Sequence, residues 1–194
     1  MRRRLRWIRR QQRVVDALPP PETPREWVAG ETHRYLGRQY RLKLQTSAGG
    51  APDRLQRSVR LVGRYFAVSL PDPKDRTAVR DLMGDWYRTH AQRVIAERVR
   101  KLVASTHWLE LDPANPPAFR LQALTHRWGS TTRAGRITFN RALIRLPLGC
   151  IDYVVAHELV HLRIPNHSPA FWRMLERVMP DWRQWRERLG REGV

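Results

Sequence analysis

Cysteine is nearly absent from this 194-residue chain, which contains Cys150 alone. A single cysteine forms no disulfide within the chain and excludes a zinc site built from several thiolates. This usage is typical of a reducing compartment, and we expect the protein in the cytoplasm. Long apolar runs are missing too, so no segment reaches the roughly 18 residues of a membrane span. No apolar stretch of signal-peptide length follows the basic N-terminus.

Acidic residues are scarce relative to basic ones. The chain has 18 Asp and Glu against 37 Lys and Arg, a formal net charge of +19, and Lys43, Lys74 and Lys101 are its only lysines. Writing Arg for Lys conserves charge, so it cannot explain the surplus. The surplus predicts attraction to polyanions, namely nucleic acid, acidic proteins or anionic lipid. Nucleic acid would bind through the Arg-rich surface and the N-terminal arm. The oligomeric state is left open.

The length fits one domain with an appended arm. Seven of the first thirteen residues are Arg and prolines occupy positions 19–21. Residues 1–30 are therefore predicted to be a basic, flexible N-terminal arm. Residues 31–194 are predicted to form a single domain.

Alternating apolar and polar residues predict short strands in the first half of that domain. They are Tyr40–Leu44, Val59–Leu61 and Tyr65–Leu70, with a loop at 47–53 and a turn at Gly63-Arg64. We expect these strands to form an antiparallel β meander over residues 31–72.

Helical spacing of apolar residues follows from position 73 to 104. Asp72 is suited to cap this long helix, and Pro73 to begin it. Residues 119–194 then show two further strands, near Phe119–Ala123 and Ile137–Phe139, and an apolar helix over 150–162. The sequence thus predicts an α+β fold, in which a small, mostly antiparallel sheet packs on a long helix.

The segment His157-Glu158-Leu159-Val160-His161 bears directly on chemistry. Two histidines at i and i+4 lie on one helix face, where both imidazoles can reach one metal ion. Glu158 lies beside that face and can take a proton from metal-bound water. From composition alone, the expected number of such segments is on the order of 0.01.

A catalytic zinc usually takes three protein ligands and keeps one position open. His167 supplies a third imidazole, because Pro165-Asn166 ends the helix and lets the chain fold back. The three histidines could instead be exposed polar residues, but the apolar helix around them favours burial, which needs pairing or a metal. We therefore predict Zn²⁺ on His157, His161 and His167, with Glu158 as the catalytic acid and base. For the oxyanion donor, Arg127, Tyr153 and Arg163 are candidates.

The stretch 127–172 resembles the YgjP-like metallopeptidases, relatives of the SprT-like and WLM zincins. The matching pieces are Arg127-Trp128-Gly129-Ser130, Ile137-Thr138-Phe139-Asn140, the segment 151–162 and Asn166-His167-Ser168-Pro169-Ala170-Phe171-Trp172. The resemblance is weaker over 30–103 and does not extend to the first 30 residues. Thr131 is a departure, because such proteins often have Cys after the Trp-Gly-Ser triplet.

The resemblance implies a minimal zincin core, zinc on the same three histidines and catalysis by Glu158. It also implies that the strand 137–140 lines the cleft. The leading hypothesis is a cytoplasmic zinc metallopeptidase acting on a peptide or protein. Two alternatives stay open: a metal-dependent nucleotide or phosphoester hydrolase, and a non-enzymatic nucleic-acid-binding protein with structural zinc.

Overall fold

A computed structural model describes residues 25–47 and 57–192. The predicted arm up to residue 24 and the predicted loop at 48–53 lie outside the described residues. The described part contains strands β1 (Thr32–Tyr35), β2 (Arg38–Thr46), β3 (Ser58–Val62), β4 (Tyr65–Leu70), β5 (Phe119–Gln122), β6 (Gly129–Thr131) and β7 (Ile137–Asn140). Its α-helices are α1 (Arg76–Ser105), α2 (Leu148–His161), α3 (Pro169–Val178) and α4 (Trp182–Gly190). The predicted α+β fold is confirmed.

The first four strands form one sheet in the order β1-β2-β4-β3. The predicted antiparallel meander is wrong, because β2 pairs in parallel with β4 and does not contact β3 as a neighbour. The turn at Gly63-Arg64 does join β3 and β4 as an antiparallel hairpin. Alternation in the sequence specifies which face of a strand is buried but not which strand lies next to it. The long connection between β2 and β3 allows β3 to lie on the far side of β4.

Helix α1 covers the inner face of this sheet. Phe66 of β4 is fully buried and packs edge-to-face on Trp86 of α1, with ring centroids 4.9 Å apart. The helix begins three residues later than predicted, because Asp75 rather than Asp72 caps it by accepting from the Ala78 amide at 3.0 Å. Asp72 instead accepts from the Lys74 amide.

Strands β5, β7 and β6 form a second sheet, in that order, with β5 and β7 parallel and β6 and β7 antiparallel. Helix α2 lies between this sheet and α1. Arg98 of α1 holds α2 through a two-pronged ion pair with Asp152, at 2.5 and 2.6 Å. Most of α2 is buried, so its polar residues are held in a fixed position inside the fold.

The last two helices close the other side of α2. Gly149 allows α4 to approach, since a Cβ there would lie 2.3 Å from the Trp185 ring. Ser168 precedes Pro169 at the start of α3, where the missing N–H of proline costs no hydrogen bond. None of the helices within 25–47 and 57–192 combines the length and the apolar character needed to cross a membrane.

Candidate metal centre and active site

Three histidine rings converge at the C-terminal end of α2. The Nε2 atoms of His157 and His161 lie 3.1 Å apart, those of His161 and His167 lie 3.2 Å apart, and those of His167 and His157 lie 3.0 Å apart. Two of these residues are one helical turn apart on α2, and the chain reverses at residues 162–166 to bring the third back. The structure therefore brings together all three predicted ligands.

With all three rings neutral and protonated at Nδ1, the Nε2 atoms that face one another carry lone pairs rather than protons. His161 Nδ1 lies 3.0 Å from the Ile164 carbonyl oxygen, which can only accept, so the proton of a neutral ring is on Nδ1. Burial, followed by the charges of His161 and His167, lowers the pKa of His157 to about 3. Burial also lowers the pKa of His167. Three lone pairs at this spacing repel one another unless a cation lies among them.

Glu158 is inside the protein, with 4% of its surface exposed. Burial raises the pKa of its carboxyl group to about 7, while the Thr131 hydroxyl and the charge of Arg127 act in the opposite direction. The Thr131 hydroxyl lies 2.8 Å from Glu158 Oε2 and donates to it, and the same hydroxyl lies 3.1 Å from the Glu158 carbonyl oxygen. Strand β6 thus fixes one carboxylate oxygen, Oε2, by a hydrogen bond.

Gly129 makes room for that carboxylate. A Cβ at residue 129 would lie 2.6 Å from Glu158 Oε1, 2.8 Å from Cγ and 3.0 Å from Cδ. Any side chain at this position would therefore displace the end of the Glu158 side chain. The Trp-Gly-Ser triplet has a physical role here, which is to let the strand backbone lie directly against the carboxylate.

Phe171 of α3 packs against all three rings of the histidine cluster. Its ring centroid lies 4.9 Å from that of His157, 4.5 Å from His161 and 4.7 Å from His167, and the ring is fully buried. Trp172 donates its indole N–H to the His167 carbonyl oxygen at 3.1 Å. The side chain of His161 is oriented by Ile164, whereas His157 Nδ1 has no hydrogen-bond partner among the described residues.

The three candidates for an oxyanion donor differ in where they point. Arg163 donates to the carbonyl oxygens of Leu109 and Glu110, at 2.7 and 2.6 Å, so two of its guanidinium nitrogens already have partners. Tyr153 packs edge-on against His157, with centroids 5.9 Å apart, and burial raises its pKa. Arg127 is close enough to Glu158 to lower the pKa of its carboxyl group.

Several residues of the site are missing from the sequence-based prediction. The strand beside Glu158 is β6, whereas the predicted cleft strand at 137–140 is the buried middle strand β7. Thr131, which the sequence marks only as a departure from a family pattern, binds the carboxylate. Arg186 of α4 lies over the Trp172 ring, 5.0 Å from its centroid, and its charge lowers the pKa of His157 and His167. No local signal marks Arg186, which follows His167 by 19 residues, as part of this site.

The comparison with protein families is consistent with this geometry. The model of the YgjP-like metallopeptidase domain matches residues 1–192, so the match includes the N-terminal segment that the sequence resemblance leaves out. Among proteins with curated descriptions, none matches this chain. The solved structure of the metallopeptidase zymogen abylysin from Pyrococcus abyssi is similar over 54% of this chain and 99% of its own, with 23% identity and a TM-score of 0.41. The domain match alone decides the assignment, and the chain belongs to the YgjP-like metallopeptidase family.

Proposed function

We propose that this protein is a zinc-dependent peptidase in which His157, His161 and His167 hold the metal and Glu158 is the acid and base. The observation that carries the proposal is the mutual approach of three Nε2 atoms to 3.0–3.2 Å. Ligands at ~2.0–2.1 Å from a tetrahedral zinc are about 3.3 Å apart, so the observed spacing fits such an ion closely. The cluster supplies three ligands, which leaves a fourth position for water or substrate.

Zinc is the metal that this donor set favours. Three neutral imidazoles are borderline-soft ligands, and among residues 25–47 and 57–192 no carboxylate joins them in the cluster, as hard cations such as Mg²⁺ or Ca²⁺ would need. Bound there, the metal would act as a Lewis acid that polarises a carbonyl and makes water more acidic. The single cysteine supports the cytoplasm as the working location.

Glu158 performs the proton transfers in this proposal. Thr131 holds Oε2, so we assign the transfer to Oε1, which takes a proton from the attacking water and gives it to the leaving amine. A pKa raised by burial suits a group that must both accept and release a proton near neutral pH. Gly129 and Thr131 keep the carboxylate in place, and Phe171 holds the three imidazole rings in their relative positions.

The proposal is tested by separating metal binding from hydrolysis. Glu158→Gln should keep one zinc per chain by metal analysis and lose peptide hydrolysis, because the amide cannot act as a base. His167→Ala should lose the zinc. Glu97→Gln and His107→Ala make the same changes at exposed positions and should match wild type in both measurements.

Two results would overturn the proposal. One is normal peptide hydrolysis by Glu158→Gln, and the other is an absence of bound metal in the wild-type protein. Phosphodiester and nucleotide substrates belong in the same screen. If they are hydrolysed in a Glu158-dependent way while peptides are not, the centre is a phosphoesterase. If nothing is hydrolysed and Glu158→Gln has no effect, the zinc is structural.

A further inference from the structure

The four-stranded sheet turns one face to solvent, on the side away from α1. We call the exposed side chains Arg41, Lys43, Arg60, Val62 and Tyr65 the basic sheet face. None of the residues in β1–β4 is Asp or Glu, whereas five are Arg or Lys. This composition is one-sided even for a protein with a large positive charge.

Within residues 25–47 and 57–192, the cations of the basic sheet face have no acidic partner. Arg41, Lys43 and Arg60 are all exposed, and none forms an ion pair with another residue in the described ranges. Many other arginines do have acidic partners, such as Arg88 with Asp85 at 2.9 Å. The positive potential over the sheet is therefore available to an external anion.

An apolar spot lies among these cations. Tyr65 is 45% exposed and Val62 is 59% exposed, and the two are direct partners across β3 and β4. On its other side Tyr65 is paired with Arg41 of β2. Ala67, two residues along β4 on the same face, is too small to cover the tyrosine ring. Tyr65 contacts no other aromatic ring in the described part of the chain.

The strand register sets the spacing of these groups. Arg41, Tyr65 and Val62 form one row across the sheet, and Lys43, Ala67 and Arg60 form the next row. Adjacent strands lie about 4.8 Å apart and successive side chains on one face about 6.6 Å apart. The sheet surface thus presents one aromatic ring, that of Tyr65, with cationic side chains on two sides. At these spacings the Arg and Lys side chains can reach a ligand that lies on the ring.

We propose that the basic sheet face binds single-stranded nucleic acid, with a base stacked on Tyr65 beside Val62 and phosphates contacted by Arg41, Lys43 and Arg60. Single strands combine the two chemistries that this surface offers, exposed base faces and a regular array of phosphates. A duplex hides its base faces within the stack. An acidic peptide or an anionic lipid surface would use the cations but has no need of an exposed ring.

The basic sheet face is separate from the candidate active site. Leu42 and Phe66 point from the sheet into the core against α1, and Arg98 of α1 is paired with Asp152 of α2 on another side of that helix. The sheet and the histidine cluster therefore lie on different sides of α1, and a bound strand would leave the metal centre open. This proposal is independent of the peptidase function.

The charge contribution is measured with the full chain and a labelled single strand of about 16 nucleotides, the upper end of typical site sizes. Binding is followed by fluorescence anisotropy between about 50 and 200 mM salt. Removing two phosphate contacts in Arg41→Gln/Lys43→Gln should reduce the slope of log K against log salt by about 1.4. The control Arg100→Gln/Lys101→Gln removes the same charge from exposed positions of α1 and should leave the slope near wild type. Equal slopes for the two variants would overturn the proposal.

The stacking contribution is measured at Tyr65. Tyr65→Ala should weaken binding of the single strand about 5- to 150-fold, the loss that corresponds to one stacked base. Tyr65→Phe should bind like wild type, and Tyr65→Leu, which keeps an apolar contact with Val62, should be weakened like Tyr65→Ala. All variants should retain the wild-type zinc content and melting temperature.

Competition identifies the partner class. The proposal is overturned if a duplex of the same sequence binds as tightly as the single strand. It is also overturned if polyglutamate or anionic vesicles displace the strand as well as an unlabelled single strand does, or if Tyr65→Leu binds like wild type.

Discussion

Replacing Gly129 with alanine tests the position of Glu158 without touching a charged group. In the structure, a Cβ at this residue would lie 2.6 Å from Oε1, whereas ordinary van der Waals contact begins at 3.4 Å. The carboxylate oxygen must therefore move by the difference, about 0.8 Å. The carboxylate is flexible at its end, so we expect the side chain rather than the strand to move. The movement strains or breaks the hydrogen bond from Thr131.

The expected effect is large on catalysis and moderate on stability. A displacement of about 1 Å in a catalytic group lowers the rate on the order of 100-fold, so kcat/KM for a peptide should fall by about that factor. Overpacking of this kind costs about 1–3 kcal/mol, which lowers Tm by several degrees in a domain of this size. Zinc content should stay at the wild-type value, because the substitution does not reach the histidines.

Gly84→Ala is the matched control. Gly84 lies within α1, and a Cβ there meets nothing within 4 Å, so this variant should keep full activity and gain up to about 1 kcal/mol in stability. The reasoning is refuted if Gly129→Ala retains wild-type kcat/KM, because the carboxylate would then not lie where the structure has it. A loss of zinc in Gly129→Ala would also contradict it.

Three further predictions concern the support of the site. Thr131→Val should lower kcat about 10- to 100-fold with little change in KM, because the Thr131 hydroxyl donates to Glu158. Thr131→Ser keeps a hydroxyl and should have a kcat near that of wild type. Equal activity of the two variants would contradict this role of the hydroxyl. Phe171→Ala should lower the free energy of unfolding by about 3–5 kcal/mol in a denaturant titration, and it should also weaken zinc binding. An unchanged zinc affinity would show that Phe171 contributes to packing but not to metal binding. Removal of the metal by a chelator should lower Tm by roughly 5–10 °C when zinc had been about 100-fold above its Kd, and the chelator should have no effect on His167→Ala.

The local features of the site could be predicted from the sequence because they depend on short spacing. Two histidines four residues apart must share a helix face, and Pro165 must interrupt a helix, so the approach of His167 to the pair follows from local rules. The structure brings these rings together as expected. The start of α1 shows the limit of such rules, because Asp72 and Asp75 are both suitable N-caps by residue type and the helix is capped by Asp75.

The strand order could not be predicted in the same way. Leu42 and Phe66 each carry the signature of a half-buried strand, but nothing in that signature says that they lie side by side in parallel strands. Pairing between β2 and β4 joins residues that are far apart in sequence, and both strands bury apolar side chains in the same core. An antiparallel meander requires that strands adjacent in sequence pair with each other, and β2 and β3 do not.

The role of Thr131 also depends on a contact between residues that are distant in sequence, so the sequence alone predicts no role for it. A threonine hydroxyl and a cysteine thiol are close in size, but only the hydroxyl is a strong hydrogen-bond donor. Its effect depends on Glu158 being 27 residues away in sequence and 2.8 Å away in space. Gly129 affects the same carboxylate because it has no Cβ, and not through any group that it carries. Two residues of β6 thus act on Glu158, one by what it donates and the other by the space it leaves, and the position of the Glu158 carboxylate depends on both.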